Sequence, residues 1–586
     1  MTTTLRPQSR NIQGPANWRR VIAGAACLAM IGIGAGLIVS TYHTFNQTSD
    51  EPVHLSTGME WLERGTYTIE PLHPPLGRIA VALGPYLAGL RLTGQKDPGI
   101  DGSEILFAHD SYLHNLALAR LGTLPFFILA AVLVWQWSRQ RYGNGAALVA
   151  TFLFSTCPIV LAHAGLATTD MAATAGLTAA LLAWINFLDR PGSRQAVLCG
   201  AALAFAILCK FSLVLFLPAA ALPLLLWRFL SSRSASGDPK AVRLPWGRAL
   251  AMIALTAAIL VWAGYRFSIT SIANIRHSSK PYVTIDRRFG REGALHSWAY
   301  RAVEFPGIPA PALFQGLAQL SRKNKIGPKA YLFGQTRRKG WWYYFPVALG
   351  VKTPIPFLIF FGIGAFYLTR RAWIEKNWIM VAPLSGALSV LLVCLPSNIN
   401  IGARHILPIY PLLAITAGAG CAWFVRNVRP KFAALAIALV LLIWQAGSSF
   451  RAHPDYLAWF NEIAGQHPEK ILIDSDLDWG QDVLRLSTKL RQTHIPELSL
   501  VLAGMPPDLD LRRFGLPPYR VLLPHERATG WIAISLFNLK TGGVGKPLDS
   551  YSWLEAHQPV ALVGRSIRLY HVPDAATVAN PLRGPA

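Results

Sequence analysis

Apolar residues along this chain are gathered into long blocks, separated by short polar stretches and by two long ones. The blocks run roughly over 20–42, 114–136, 144–163, 171–188, 195–210, 212–230, 249–267, 346–368, 378–396, 406–424 and 432–450. Each is close to the ~20 residues a helix needs to cross the hydrocarbon core. A backbone in lipid must satisfy its polar groups within the segment, so the pattern predicts eleven transmembrane helices. After about Arg451 the pattern changes. Short apolar runs at Ile471–Ile473, Leu498–Leu502, Tyr519–Leu523, Trp531–Leu536, Val560–Val563 and Ser566–His571 read as strands. Gln481–Leu490 reads as a helix. The expected architecture is a polytopic α-helical membrane domain over residues 1–450, followed by a small α/β domain over 451–586.

Charge orients this arrangement. Every second connection is basic: Arg139 and Arg141; Arg190 and Arg194; Arg228, Arg233, Lys240, Arg243 and Arg248; Arg370, Arg371 and Lys376; Arg426, Arg429 and Lys431. Short basic loops face the cytoplasm. Arg6, Arg10, Arg19 and Arg20 precede the first helix and agree with that side. The run Val21–Ser40 is long for a signal-peptide core and no clear cleavage site follows, so it reads as a retained helix. An odd number of spans then places 451–586 outside. The two long segments, about 46–113 and 268–345, fall on the same outer side. Loops of that length are usually functional or structured.

Composition agrees with a membrane protein. The 586 residues are 52% hydrophobic and 15% charged, with mean hydropathy +0.34. The formal net charge of +25 fits anionic membrane lipids as partners more simply than nucleic acid. The second outer segment concentrates that charge. It holds Arg276, Lys280, Arg287, Arg288, Arg291, Arg301, Arg322, Lys323, Lys325, Lys329, Arg337, Arg338 and Lys339 against Asp286, Glu292 and Glu304. Phosphate binding and solvated surface both account for it. The six cysteines sit in or beside apolar blocks without a CxxC pair and read as packing residues.

Candidate chemistry clusters at the outer helix ends. Asp50 and Glu51 follow the first helix; a carboxylate there could take a proton from an acceptor, or simply meet water at a helix end. His73 precedes Pro74-Pro75, which fixes a rigid turn. Asp170 begins the fourth helix, where capping alone could explain it. Lys210 lies between two apolar runs, and Arg404 and His405 open the tenth helix; each could snorkel or bind a phosphate. In the tail, Asp474, Asp476, Asp478 and Asp482 alternate without the glycine and terminal glutamate of an EF-hand. Sugar or acceptor binding and a purely structural turn both remain open for them.

Together, Asp50-Glu51, His73-Pro74-Pro75-Leu76, Thr169-Asp170 and the segment from Arg404 to Leu413 resemble the GT-C superfamily. More narrowly, the chain is similar to bacterial phospholipid-carrier-dependent glycosyltransferases of the protein-mannosyltransferase and aminoarabinose-transferase type (glycosyltransferase family 39). The segments 340–346, 352–354, 453–461 and 474–482 resemble a bacterial branch of it. The likeness spans nearly the whole chain and is weakest across 230–330. It implies an inverting glycosyltransferase working on the outer face of the bacterial inner membrane. Its donor would be a polyprenyl-phosphate-linked sugar, its acceptor a protein, lipid or glycan. Asp50, Glu51 and Asp170 would be catalytic; Lys210, Arg404 and His405 would bind the donor phosphate; His73, Trp341 and Trp342 would bind substrate or support the site. No cofactor is certain, a divalent metal stays open, and no metal ligands are carried over. The rival class is a lipid or solute transporter or flippase, although the ionisable groups gather at one face rather than the midplane. A non-catalytic assembly scaffold using the outer tail is a further alternative.

Overall fold

The structure is a computed structural model that describes residues 16–232, 245–270, 280–290, 292–304 and 307–573. Arg6, Arg10, Arg233, Lys240, Arg243, Arg276 and Arg291, and the side chains of Arg19, Lys280 and Glu304, lie outside the described residues. The fold is predominantly helical, with a C-terminal region built around a sheet. Among the described residues, eight helical segments are long and apolar enough to cross a membrane. The pair α7 (Asn144–Ser155) and α8 (Pro158–Ala164) meets the same length and apolarity only when taken together, and is bent by 60° where Pro158 denies the helix a donor. Two shorter apolar helices, Ser193–Cys209 and Trp378–Cys394, occupy the other two predicted blocks.

The buried centre of the helical region is α9 (Asp170–Asp189) and the segment Ala403–Asn427, whose apolar windows are 78% and 89% buried. The first span, α1 (Ala16–Val39), and α12 (Trp246–Gly264) lie at the periphery, at 28% and 22%. Small residues let the central helices close up. A Cβ on Gly364 would stand 2.0 Å from the Thr416 carbonyl oxygen, and one on Gly418 2.4 Å from that of Ala146.

One predicted span starts later than expected. The block at 346–368 divides into a helix Tyr344–Lys352 and a span Ile355–Glu375. Pro354 interrupts the ladder, and Asn461 Nδ2 donates to the freed carbonyls of Gly350 (2.6 Å) and Thr353 (2.7 Å).

The first long segment is folded. It carries α2 (Glu51–Glu63), α3 (Pro75–Leu87) and α4 (Pro98–Phe107), with α5 (Tyr112–Leu121) leading through a bend into α6 (Leu124–Tyr142). Glycine permits this packing also. A Cβ on Gly58 would sit 2.1 Å from the Arg78 carbonyl oxygen, and one on Gly102 1.9 Å from that of Pro52.

The C-terminal sheet has five strands in the order 519–521, 498–501, 530–535, 567–572, 561–563. The first three run parallel and the last two pair antiparallel. Leu498, Leu500, Ala533 and Leu569 face the helix Val483–Gln492, while Val501, Ile532, Ile534 and Tyr570 pack on the other side. Both faces are covered, as parallel strands require. The predicted strand Ile471–Ile473 does not form. Short 3-10 turns at Pro468–Lys470 and Asp474–Asp476 flank it, and Ile473 packs with Tyr331 and Phe537 instead.

Buried polar contacts join the tail to the helical region. Asn46 Oδ1 accepts from the Val483 N–H (2.7 Å). Lys352 Nζ donates to the carbonyls of Leu457 (2.8 Å), Trp459 (2.6 Å) and Asp476 (2.8 Å).

Glu51 departs from its expected catalytic role. It is 1% exposed and bonded to Arg120 at 2.8 and 3.0 Å. It also accepts from the N–H groups of Thr48 (2.7 Å) and Ala167 (2.9 Å), while Arg120 donates to the carbonyls of Tyr42, Phe45 and Asn46. Glu51 and Arg120 therefore pin the start of α2 to α5 and to the turn before α9. Breaking such a pair leaves a buried charge uncompensated. Arg120→Met should cost about 3–5 kcal/mol, read as thermal unfolding of the purified protein in detergent. The double variant Glu51→Gln/Arg120→Met should lose less than the sum of the single changes.

Candidate active site

Three helix termini meet beneath the tail. Asp170 is the first residue of α9, Lys210 follows the end of α10 (Ser193–Cys209), and Arg404 opens the segment that becomes the helix Tyr410–Asn427. The helix ends opposite them carry the short basic connections beginning at Arg190 and Arg426. Above this floor lies a cavity of about 1110 Å³. Asp50, His54, Glu70, His73 and Arg78 form one wall. Asp474, Asp478, Trp479 and the loop 503–507 form a second, contributed by the tail. The third is apolar: Phe211, Val214, Leu215 and Phe216 on α11 (Leu213–Ser232) and the turn before it, Leu317 and Leu320 on the helix Pro311–Ile326, with Val393, Cys394 and Pro396.

The cations on the floor arrive paired. Lys210 Nζ bonds directly to Asp170 Oδ1, while Thr168 Oγ1 donates to the other carboxylate oxygen at 3.0 Å. Arg404 Nη1 donates to Asp50 Oδ2 at 2.7 Å. Its guanidinium lies over the Trp479 ring, 4.1 Å from the centroid. The backbone beside it is fixed by the tail, because Ala403 N–H donates to Asp476 Oδ1 at 3.0 Å. Two buried nitrogens at the cavity, Arg404 Nε and His405 Nε2, have no hydrogen-bond partner among the described residues. Such atoms are costly unless something satisfies them.

The α2–α3 wall is a second network. Arg78 Nε meets His54 Nδ1 at 3.0 Å, its Nη1 donates to Tyr67 OH at 3.1 Å, and its Nη2 pairs with Glu70. His73 Nδ1 stands 3.1 Å from Arg78 Nη2 and 3.5 Å from Glu70. Burial acts to raise the Asp50 carboxyl, but the Arg404 guanidinium holds it well below the usual carboxylate range. Burial and Arg78 push His54 well below the usual histidine range, so it is neutral near pH 7. The tail carboxyls behave oppositely: burial lifts Asp474 and Asp478 to about 7.

Of the residues singled out in the sequence, the cavity collects Asp50, Asp170, Lys210, Arg404, His405 and His73. It does not collect Glu51, Trp341 or Trp342. Trp341 is buried beside Asn400, whose Oδ1 accepts its N–H at 2.7 Å, and Trp342 is 67% exposed. From the basic segment, Lys323 reaches the cavity, whereas Lys329 donates to the tail carbonyls of Thr541 and Lys546. Sequence reasoning missed Glu70 and Arg78. The turn at Pro74-Pro75 was the available signal, because it starts the helix that carries Arg78 beside Glu70. No group of three or more His, Cys, Asp or Glu among the described residues could hold a metal ion.

Among curated proteins, none matches this chain. The structure is similar to ArnT from Cupriavidus metallidurans bound to undecaprenyl phosphate, at 11% identity over 95% of this chain and 98% of that one, with TM-score 0.45. It is similar to ArnT from the same organism in the apo state, at 13% identity over 95% and 98%, with TM-score 0.43. It is also similar to the archaeal oligosaccharyltransferase AglB from Archaeoglobus fulgidus in complex with an inhibitory peptide and a dolichol-phosphate, at 14% identity over 72% and 56%, with TM-score 0.39. Residues 114–262, from α5 to α12, match the family described as dolichyl-phosphate-mannose-protein mannosyltransferase. That matched stretch runs through Asp170 and Lys210 on the cavity floor.

Proposed function

We propose that the chain transfers a sugar from a polyprenyl-phosphate donor to an acceptor, with inversion at the anomeric carbon, on the outer face of the bacterial inner membrane. One observation carries this reading: the pairs Asp50–Arg404 and Asp170–Lys210 line a single cavity that also has an extended apolar wall. The apolar wall suits the first isoprene units of a lipid carrier. The cations suit the phosphate, which Arg can engage in a bidentate manner. The carboxylates suit the nucleophile.

The chemistry then follows from charge. The acceptor hydroxyl or amine gives its proton to Asp50 as its oxygen or nitrogen bonds to the anomeric carbon. The bond from that carbon to the phosphate oxygen breaks on the opposite side, and its electron pair stays on the phosphate. The donor phosphodiester carries one negative charge, and the departing monoester gains a second. Arg404 and Lys210 stabilise that developing charge. In this structure Asp50 is bound to Arg404. Phosphate entry draws Arg404 away, so Asp50 becomes a usable base only once the donor is seated.

Two outcomes test this. Asp50→Asn should abolish rescue of a deletion strain and leave the polyprenyl-phosphate sugar accumulating in extracted lipids, with transfer lowered at least about a hundredfold. Purified Asp50→Asn should bind undecaprenyl phosphate at least as tightly as wild type, because Arg404 is released. Arg404→Met should bind it about tenfold or more weakly. Equal binding by all three proteins would remove the phosphate from this site.

A further inference from the structure

The four tail aspartates differ in what their oxygens already do. Asp478 accepts from Phe537 N–H at 2.7 Å with one oxygen and from Gly480 N–H at 3.3 Å with the other. Asp482 is held by Ser566 Oγ (2.8 Å), Arg565 N–H (3.1 Å) and Arg485 (3.3 Å). Asp476 fastens Ala403 N–H and meets Tyr344 OH. Asp474 is different. Its Oδ1 accepts from its own neighbour, the Ser475 N–H, at 2.6 Å, and its Oδ2 has no partner within the chain among the described residues. That free oxygen belongs to a side chain lining the cavity.

The backbone is built to hold it there. Asp474 has φ +47°, a left-handed conformation that costs a non-glycine residue of order 1 kcal/mol or more and persists only where its surroundings impose it. The imposing contacts are on both sides. The Asp474 carbonyl accepts from Leu477 N–H (3.0 Å) and Asp478 N–H (2.9 Å). Ser475 Oγ donates to the Ile401 carbonyl, and Lys352 grips the Asp476 carbonyl. The same short segment supports the Trp479 ring under Arg404.

We infer that Asp474 contacts the substrate directly, its free carboxylate oxygen accepting hydrogen bonds from hydroxyl groups of the transferred sugar. The inference rests on the transferase reading above. A phosphate offers no donor and would be repelled by this carboxylate, whereas a sugar offers several hydroxyl donors. The arrangement therefore orders the cavity: lipid along the apolar wall, phosphate at Arg404 and Lys210, sugar against the tail. Burial lifts the carboxyl to about 7, so the contact is strongest above that pH, where the acid is ionised and accepts with both oxygens. The charged groups facing it are Arg404, Asp476 and Asp50.

The test separates sugar from phosphate. The glycosylated lipid that accumulates in cells lacking the chain is extracted, and its binding to the purified full-length protein is compared with that of undecaprenyl phosphate. Asp474→Asn should weaken the glycosylated lipid about tenfold and leave undecaprenyl phosphate unchanged. Asp474→Gly, which suits the positive φ and so keeps the fold, should do the same. If wild type prefers the glycosylated lipid and both variants match it, the sugar contact is wrong and the transferase reading stands. Loss of affinity for both lipids together would make Asp474 structural. If no glycosylated lipid accumulates, or wild type binds it no better than the bare phosphate, the transferase reading falls and this inference falls with it.

Discussion

A cation cannot wait alone in a cavity at a membrane surface. Desolvating an ammonium or guanidinium without a partner costs several kcal/mol even after relaxation. On the proposed reading, a site that receives phosphate therefore stores its positive charge beside something negative. In this chain Lys210 rests on Asp170, Arg404 on Asp50, and Arg78 on Glu70. Much of the surrounding architecture can be understood as the means of bringing these pairs to one place. Two include a residue at the end of a buried helix; at Asp170, the first residue of α9, the backbone dipole and free N–H groups favour the carboxylate. The third comes from the α2–α3 unit that the first long segment builds.

The tail completes this storage. Asp476, Ser475 and Trp479 reach the residues around Arg404 through a backbone amide, a backbone carbonyl and a ring face. Each contact orients Arg404 without consuming its charge. A hydrogen bond donated to another carboxylate would have held the guanidinium more tightly and competed with phosphate. The side chain is held by its plane and one terminal nitrogen, and Arg404 Nε has no hydrogen-bond partner among the described residues, which on the proposed reading leaves it open to an anion.

The helical part of the fold was legible because the bilayer imposes one rule on every span. Its period and length are written in the sequence, and even the short helix Ser193–Cys209 was visible as an apolar block. The start of the span at Ile355 was not, since Asn461, over a hundred residues away, is what satisfies the break at Pro354. Asp50, Asp170, Lys210 and Arg404 were legible as ionisable residues at apolar borders, where function and capping compete. Glu51 could not be told from Asp50, because adjacent positions on a helix point in different directions. Only the fold shows that one faces the cavity and the other Arg120. Trp341 and Trp342 lie outside the cavity, the first buried beside Asn400 and the second exposed.

The balance of charge in the cavity also bears on the order of events. Each stored pair is close to neutral, so the pairs themselves exert little net pull on a phosphate from a distance. Attraction grows only as a phosphate comes near enough to exchange partners with a cation, at a few ångströms, where Coulomb energies are no longer screened. On the transferase reading this exchange has a second product, the freed carboxylate. The same displacement that seats the donor exposes the base, and the base is withheld while the donor is absent. A site with unpaired cations would bind donor and spent carrier alike and hold the more highly charged product longest. With carboxylates in place to take the cations back, the departing phosphate faces a built-in competitor, and the ion pairs that delay entry also promote release.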